Sequence, residues 1–152
     1  MRDILQDIEQ YPKHLSISKV ITYFERKGVT ITRSMIQNYV RDGLLPPPLN
    51  KRHYTHKHMV VLAIVSLLKM VYDMTHIKAA LSPYMEEEGI SIELYRRLIG
   101  ATNRFVNGRE YGFATTNGFA TDNEESADPL VLMAYSADLK NQVLISLEGH
   151  GD

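Results

Sequence analysis

Apolar positions recur at helical spacing along most of the chain. Ile17, Val20, Ile21 and Phe24 follow steps of three and four, drawing one stripe along a helix from about Ile17 to Lys27. Ser16 offers an N-cap hydroxyl and Gly28 a stop. After the connector Val29-Thr30-Ile31, Thr32 caps a second helix, about Arg33 to Asp42. Its apolar side holds Met35 or Ile36, Tyr39 and Val40, and Gly43 ends it. Two short helices joined by a few residues have the geometry of a helix-turn-helix. Leu44-Leu45-Pro46-Pro47-Pro48 cannot continue a helix, and Asn50-Lys51-Arg52-His53-Tyr54 reads as a tight extended turn.

Further on, Thr55 caps a third helix, about His56 to Tyr72, that is apolar almost all round and therefore central. Its apolar run, broken by Lys69, is shorter than the roughly 20 residues of a membrane span. Thr75 is expected to cap a short fourth helix with Ile77 and Leu81, closed by Ser82-Pro83. Ser91 caps a fifth, about Ile92 to Val106, stopped by Asn107-Gly108. Asp128-Pro129 opens a sixth that reaches about Leu147. Between the last two lies a doubled hexapeptide, Gly112-Phe113-Ala114-Thr115-Thr116-Asn117 and Gly118-Phe119-Ala120-Thr121-Asp122-Asn123. Asn117-Gly118 at its centre favours a hairpin turn, with a plain loop as the alternative.

Charge divides the chain. Residues 1–81 carry 12 Lys+Arg and 6 Asp+Glu, with five of the six histidines; residues 82–152 carry 5 and 12. Such asymmetry points to a polyanion-binding half, or to two parts that neutralise each other internally. The near-neutral total of −1 hides this. Absence of cysteine excludes disulfides, thiolate chemistry and cysteine-based zinc sites. The start, Met1-Arg2-Asp3-Ile4-Leu5, has no long apolar segment, so no signal peptide is expected and a cytoplasmic location is.

Thr32, Tyr39, Gly43-Leu44-Leu45-Pro46-Pro47, Arg52-x-Tyr54, Leu62 and Thr75-x-Ile77 together resemble the MerR-like winged helix-turn-helix. Met35-Ile36-Gln37-Asn38-Tyr39 and Pro46-Pro47-Pro48 also resemble a bacterial family of unknown function that couples such a domain to a short helical part. The likeness spans about residues 16–81. It departs from the MerR pattern in Gln37-Asn38, in a shorter wing and in lacking a long dimerisation helix after the fourth helix. What the resemblance implies is DNA binding, with Tyr39 contacting phosphate.

The residues themselves supply the candidate contacts. Arg33, Ser34, Gln37, Asn38 and Arg41 lie on the polar side of the second helix and are types that reach phosphates and base edges; the plain alternative is a solvated face. Lys51 and Arg52 add a basic wing beside His53, His56, Lys57 and His58. The histidine spacing lacks the i, i+4 pair of a helical zinc site, so no metal is expected. There is no Gly-rich phosphate loop, nucleophile motif or acid pair, which speaks against an enzyme.

The expected fold is thus mostly α: a lead-in at 1–15, a MerR-like winged helix-turn-helix at 16–82, and a helical oligomerisation or sensing region at 90–150 with a short β-hairpin. The expected function is a sequence-specific, dimeric transcriptional regulator. Its partners would be double-stranded DNA, through Thr32, Arg33, Ser34, Gln37, Asn38, Tyr39, Arg41, Lys51, Arg52 and Tyr54, and a second copy through the C-terminal helices. No cofactor or membrane is expected. The alternative is a winged-helix adaptor whose basic face takes an acidic protein.

Overall fold

The computed structural model describes residues 2–86, 89–110 and 128–149. The described residues are mostly helical and contain no strands, only isolated bridges. The doubled hexapeptide and its expected hairpin lie outside the described residues.

Among the described residues, six α-helices follow a single 3₁₀ turn at Ile8–Gln10. Helix α1 (Ile17–Arg26) starts where the Ser16 hydroxyl accepts from the Lys19 N–H at 3.3 Å. It buries Val20, Tyr23 and Phe24. Helix α2 (Arg33–Arg41) starts where the Thr32 hydroxyl accepts from the Met35 N–H at 3.1 Å, and it buries Ile36. Both helices stop at a glycine with positive φ: Gly28 at +79° and Gly43 at +76°. Any side chain there would be strained.

Helix α3 (His56–Leu68) is the central element, buried on nearly every side from His58 to Val65. It ends four residues before the expected Tyr72, because Lys69–Tyr72 turns back on the Leu68 carbonyl. An apolar run alone does not mark where a helix stops. Helix α4 (Met74–Glu86) is capped by Asp73, whose carboxyl accepts from the His76 N–H at 3.0 Å, not by Thr75. It also runs through Pro83 rather than stopping there. Proline removes one N–H near the helix end, where little of the ladder remains to lose.

Helix α5 (Ile92–Glu110) begins on the Ser91 hydroxyl, which accepts from the Leu94 N–H, and passes the expected stop at Asn107-Gly108. Helix α6 (Pro129–Gly149) begins on Asp128, whose carboxyl accepts from the Leu130 N–H at 2.8 Å and from the Tyr84 hydroxyl. The first half of α6 buries Leu130, Val131, Met133, Ala134 and Ala137. These join α3, α4 and α5 in one continuous core.

The lead-in belongs to that core. Ile4, Leu5 and Ile8 are buried. The buried Tyr23 hydroxyl shares its one proton between the Ile4 carbonyl at 2.9 Å and Asp7 at 2.7 Å, and Lys27 pairs with Asp7 at 2.9 Å. Tyr95 of α5 donates to the Arg2 carbonyl at 3.2 Å. The N-terminal segment therefore ties α1 to α5.

Among the described residues, no helix is long and apolar enough to cross a membrane.

Candidate nucleic-acid interface

Helix α2 is anchored from one side only. Ile36 is fully buried, with Tyr39 and Val40 half-buried beside it. Arg33, Ser34, Gln37, Asn38 and Arg41 are all exposed on the other side. At its C-terminus the Asp42 carbonyl accepts from Lys78 of α4 at 2.8 Å, a cation on the negative end of the helix dipole. Arg41 leans on Asp42 at 3.3 Å, an exposed pair that is easily exchanged for another anion. The Thr32 hydroxyl is engaged in the cap. Burial pushes the Tyr39 phenol up, so it stays a hydrogen-bond donor.

The step after α2 is made of backbone. The Tyr39 carbonyl accepts from both Leu44 at 2.9 Å and Leu45 at 3.1 Å, while both leucine side chains are buried. The proline run then leads to a reversal in which Leu49 and His53 form a bridge. Asn50 and Lys51 at its tip have φ of +51° and +65°. Asparagine tolerates this region; lysine does so at a cost. The tip places Lys51 and Arg52 in solvent.

Tyr54 ends the reversal and is not on the open face. It is 6% exposed, pairs through both backbone bonds with Leu15 at 2.8 Å, and meets His58 edge-on. Arg33 lies near enough to push the phenol of Tyr54 downward, against the larger upward effect of burial.

His58 holds the foot in place. Its Nδ1 accepts from the Thr55 N–H at 3.0 Å, which fixes the proton on Nε2. Nε2–H then faces the Pro46 and Pro47 carbonyls at 3.0 and 3.2 Å. Burial lowers the affinity of His58 for a second proton, partly offset by those carbonyls. The ring is a structural strut, and among the described residues no group of three potential ligands could hold a metal ion.

Sequence reasoning missed one contributor. His14 stacks on His53 with ring centres 5.5 Å apart, which sets Lys13-His14 beside the reversal. The basic dipeptide was visible; the bridge that brings it there was not. Nδ1 of His53 and Nε2 of His56 are shielded from water and have no hydrogen-bond partner among the described residues.

A domain of unknown function, DUF1836, matches residues 5–98. No curated protein and no solved structure matches the chain. The family that matches is one of unknown function and no MerR or other DNA-binding family matches, so the MerR assignment is corrected. The residues behind it have packing duties that any such step demands: Tyr39 offers its carbonyl, Leu44 and Leu45 fill the core, and Tyr54 pairs with Leu15. The accompanying likeness to a family of unknown function is the part that stands. The match begins inside the lead-in and reaches Leu98, covering the Leu5 and Ile8 core positions as well as α1 to α4. Through these residues, well over half its length, the chain belongs to the DUF1836 family.

Proposed function

We propose that this chain is a sequence-specific regulator that binds double-stranded DNA with a winged helix-turn-helix, α1 and α2 being the paired helices and residues 48–54 the wing. The observation that carries the reading is exposure: α2 leaves Arg33, Gln37, Asn38 and Arg41 in solvent, and the reversal that follows it leaves Lys51 and Arg52 in solvent at its tip. A helix with its side chains is about 10–12 Å across, which suits a major groove about 12 Å wide. Gln37 and Asn38 are suited to adenine, and Arg33 to guanine or phosphate. Lys51 keeps a charged side chain at a φ where glycine would be relaxed, and strain retained at an exposed tip supports a contact role.

The distal end of α6 supports a dimer. Val143, Ile145 and Leu147 are 56%, 60% and 63% exposed, an apolar surface that a second copy would cover. Two-fold pairing would present two wings to two half-sites.

The test is fluorescence anisotropy of labelled duplex DNA over a salt series, with polyglutamate as competitor. The reading expects tight binding to a selected site, with log K falling linearly in log salt. Polyglutamate displacing the selected site as readily as duplex DNA does would favour the acidic-partner adaptor instead.

A further inference from the structure

A groove of about 360 Å³ runs between the Tyr11-Pro12 segment and one face of α1. That lies within the range of sites for small organic molecules. Its apolar side is built from rings and a leucine. Tyr11 and Tyr23 meet edge-on with ring centres 5.0 Å apart, and Leu15 is buried. The Tyr23 hydroxyl is already engaged with the Ile4 carbonyl and Asp7. The polar side is a row along α1. Thr22 lies three residues after Lys19 and four before Arg26, the two spacings that make neighbours on a helix surface. All three side chains are exposed, so two long cations flank one hydroxyl. No described residue that lines the groove is acidic. The acids nearby in sequence are taken or displaced: Asp7 pairs with Lys27 at 2.9 Å, Glu9 pairs with Arg96 at 3.2 Å, and Glu25 stands about a quarter turn round α1 from the lining. None of the ion pairs among the described residues uses Lys19 or Arg26.

We infer that this groove binds a small aromatic acid, its anionic group held at Thr22 between Lys19 and Arg26 and its ring against Tyr11 and Leu15. The arginine supplies a planar fork that matches a carboxylate or a phosphate, the lysine a mobile point charge, and the threonine hydroxyl a further donor. The edge and face of the tyrosine ring favour a second ring beside it over a purely aliphatic body. An ammonium group would meet two like charges and no carboxylate there. The inference does not rest on DNA binding.

The test uses the full chain carrying labelled threonine methyl groups, with Thr22→Ser to assign the reporting signal. It is titrated with phenylbutyrate, phenylbutyl phosphate, phenylbutanol and phenylbutylamine, four probes with one hydrocarbon body. At least one of the two acids is expected to shift the Thr22 methyl saturably, with a midpoint at least about fivefold below those of the alcohol and the amine. The tighter of the two identifies the anion. Acetate, the charge without the ring, should need a higher concentration than phenylbutyrate. Lys19→Gln with Arg26→Gln, both exposed positions, should bring the acids to the midpoint of the alcohol. Lys69→Gln with Arg97→Gln removes the same charge from exposed positions outside the groove and should leave the preference in place. Acids no tighter than the alcohol, no saturable shift at Thr22, acetate matching phenylbutyrate, a preference that survives Lys19→Gln with Arg26→Gln, or one lost equally in Lys69→Gln with Arg97→Gln would each overturn the inference.

Discussion

Replacing His58 tests how the reversal after the proline run is held. The ring is 3% exposed and meets three backbone groups. His58→Ala leaves the Thr55 N–H without its acceptor, at a cost of about 1–3 kcal/mol. It also removes the edge contact with Tyr54, worth about 0.5–1.5 kcal/mol. A total near 3 kcal/mol corresponds to a fall in Tm of roughly 6–12 °C for a chain of this length. His58→Gln retains an acceptor at the third helical position for the Thr55 N–H, as in an ordinary capping box, but cannot reach the prolines. Its loss should be smaller, about 1–2 kcal/mol. The pH dependence separates the strut from mere filling. Because burial lowers the folded pKa of His58, the unfolded chain binds its proton at about 6.5 while the folded chain does not. This contribution is therefore complete above the unfolded pKa and declines as pH falls toward the folded one, with a slope of at most about 1.4 kcal/mol per unit. Urea unfolding of parent and His58→Gln chains at pH 7.5, 6.5 and 5.5, values bracketing that pKa, reads the difference. If both proteins lose stability equally between those values, or if His58→Ala unfolds at the parent's midpoint, the strut assignment is wrong.

Three further outcomes are expected. Lys51→Gly should hold or raise stability, by up to about 1 kcal/mol, since the left-handed backbone is relaxed, yet lower the salt slope of duplex binding by about 0.9; a destabilised variant with unchanged slope would contradict both halves. Tyr23→Phe should cost about 1–2 kcal/mol by urea unfolding. Lys27 and Tyr23 hold the Asp7 pKa down, so stability present above the ordinary carboxylate pKa is lost as pH drops below about 4, and Tyr23→Phe should shrink that acid loss. Ile145→Lys with Leu147→Lys should convert a dimer to a monomer in sedimentation with helix content kept; a dimer that persists places the interface elsewhere.

The sequence carried the first two helices almost to the residue because their limits are local. Ser16 and Thr32 cap through their own hydroxyls, and Gly28 and Gly43 take up the positive φ that stops each helix. Boundaries set by tertiary contacts were less legible. Asp73 competes with Thr75 for the start of α4, and only the fold decides between two good caps. Ile4, Leu5 and Ile8 are too few for a periodic signal, and their burial depends on Tyr23 and Tyr95 arriving from distant helices. At the candidate site, the exposed residues of α2 could be read from period alone, since Ile36 fixes the buried side. Tyr54 could not, because an aromatic residue in a turn carries no sign of which way it faces. Nor did spacing expose the role of His58, whose partners lie eleven and twelve residues back along the proline run. The apolar positions of α6 were visible, but their division was not: the first half packs on α3 and α5, and the distal end is open.

The central claim is that α2 reads sequence, and one binding profile tests it most directly. A preferred site is selected from random duplexes, and the affinities of its single-base variants are measured for the parent, Arg33→Ala, Gln37→Ala and Asn38→Ala chains. We expect Gln37→Ala and Asn38→Ala to leave non-specific binding intact and to flatten the profile by about 1–3 kcal/mol at one or two positions. Arg33→Ala should either weaken every sequence alike, marking a phosphate contact, or flatten one position, marking a base. Three profiles superimposable on the parent's, at unchanged affinity, would mean that this exposed row does not touch DNA.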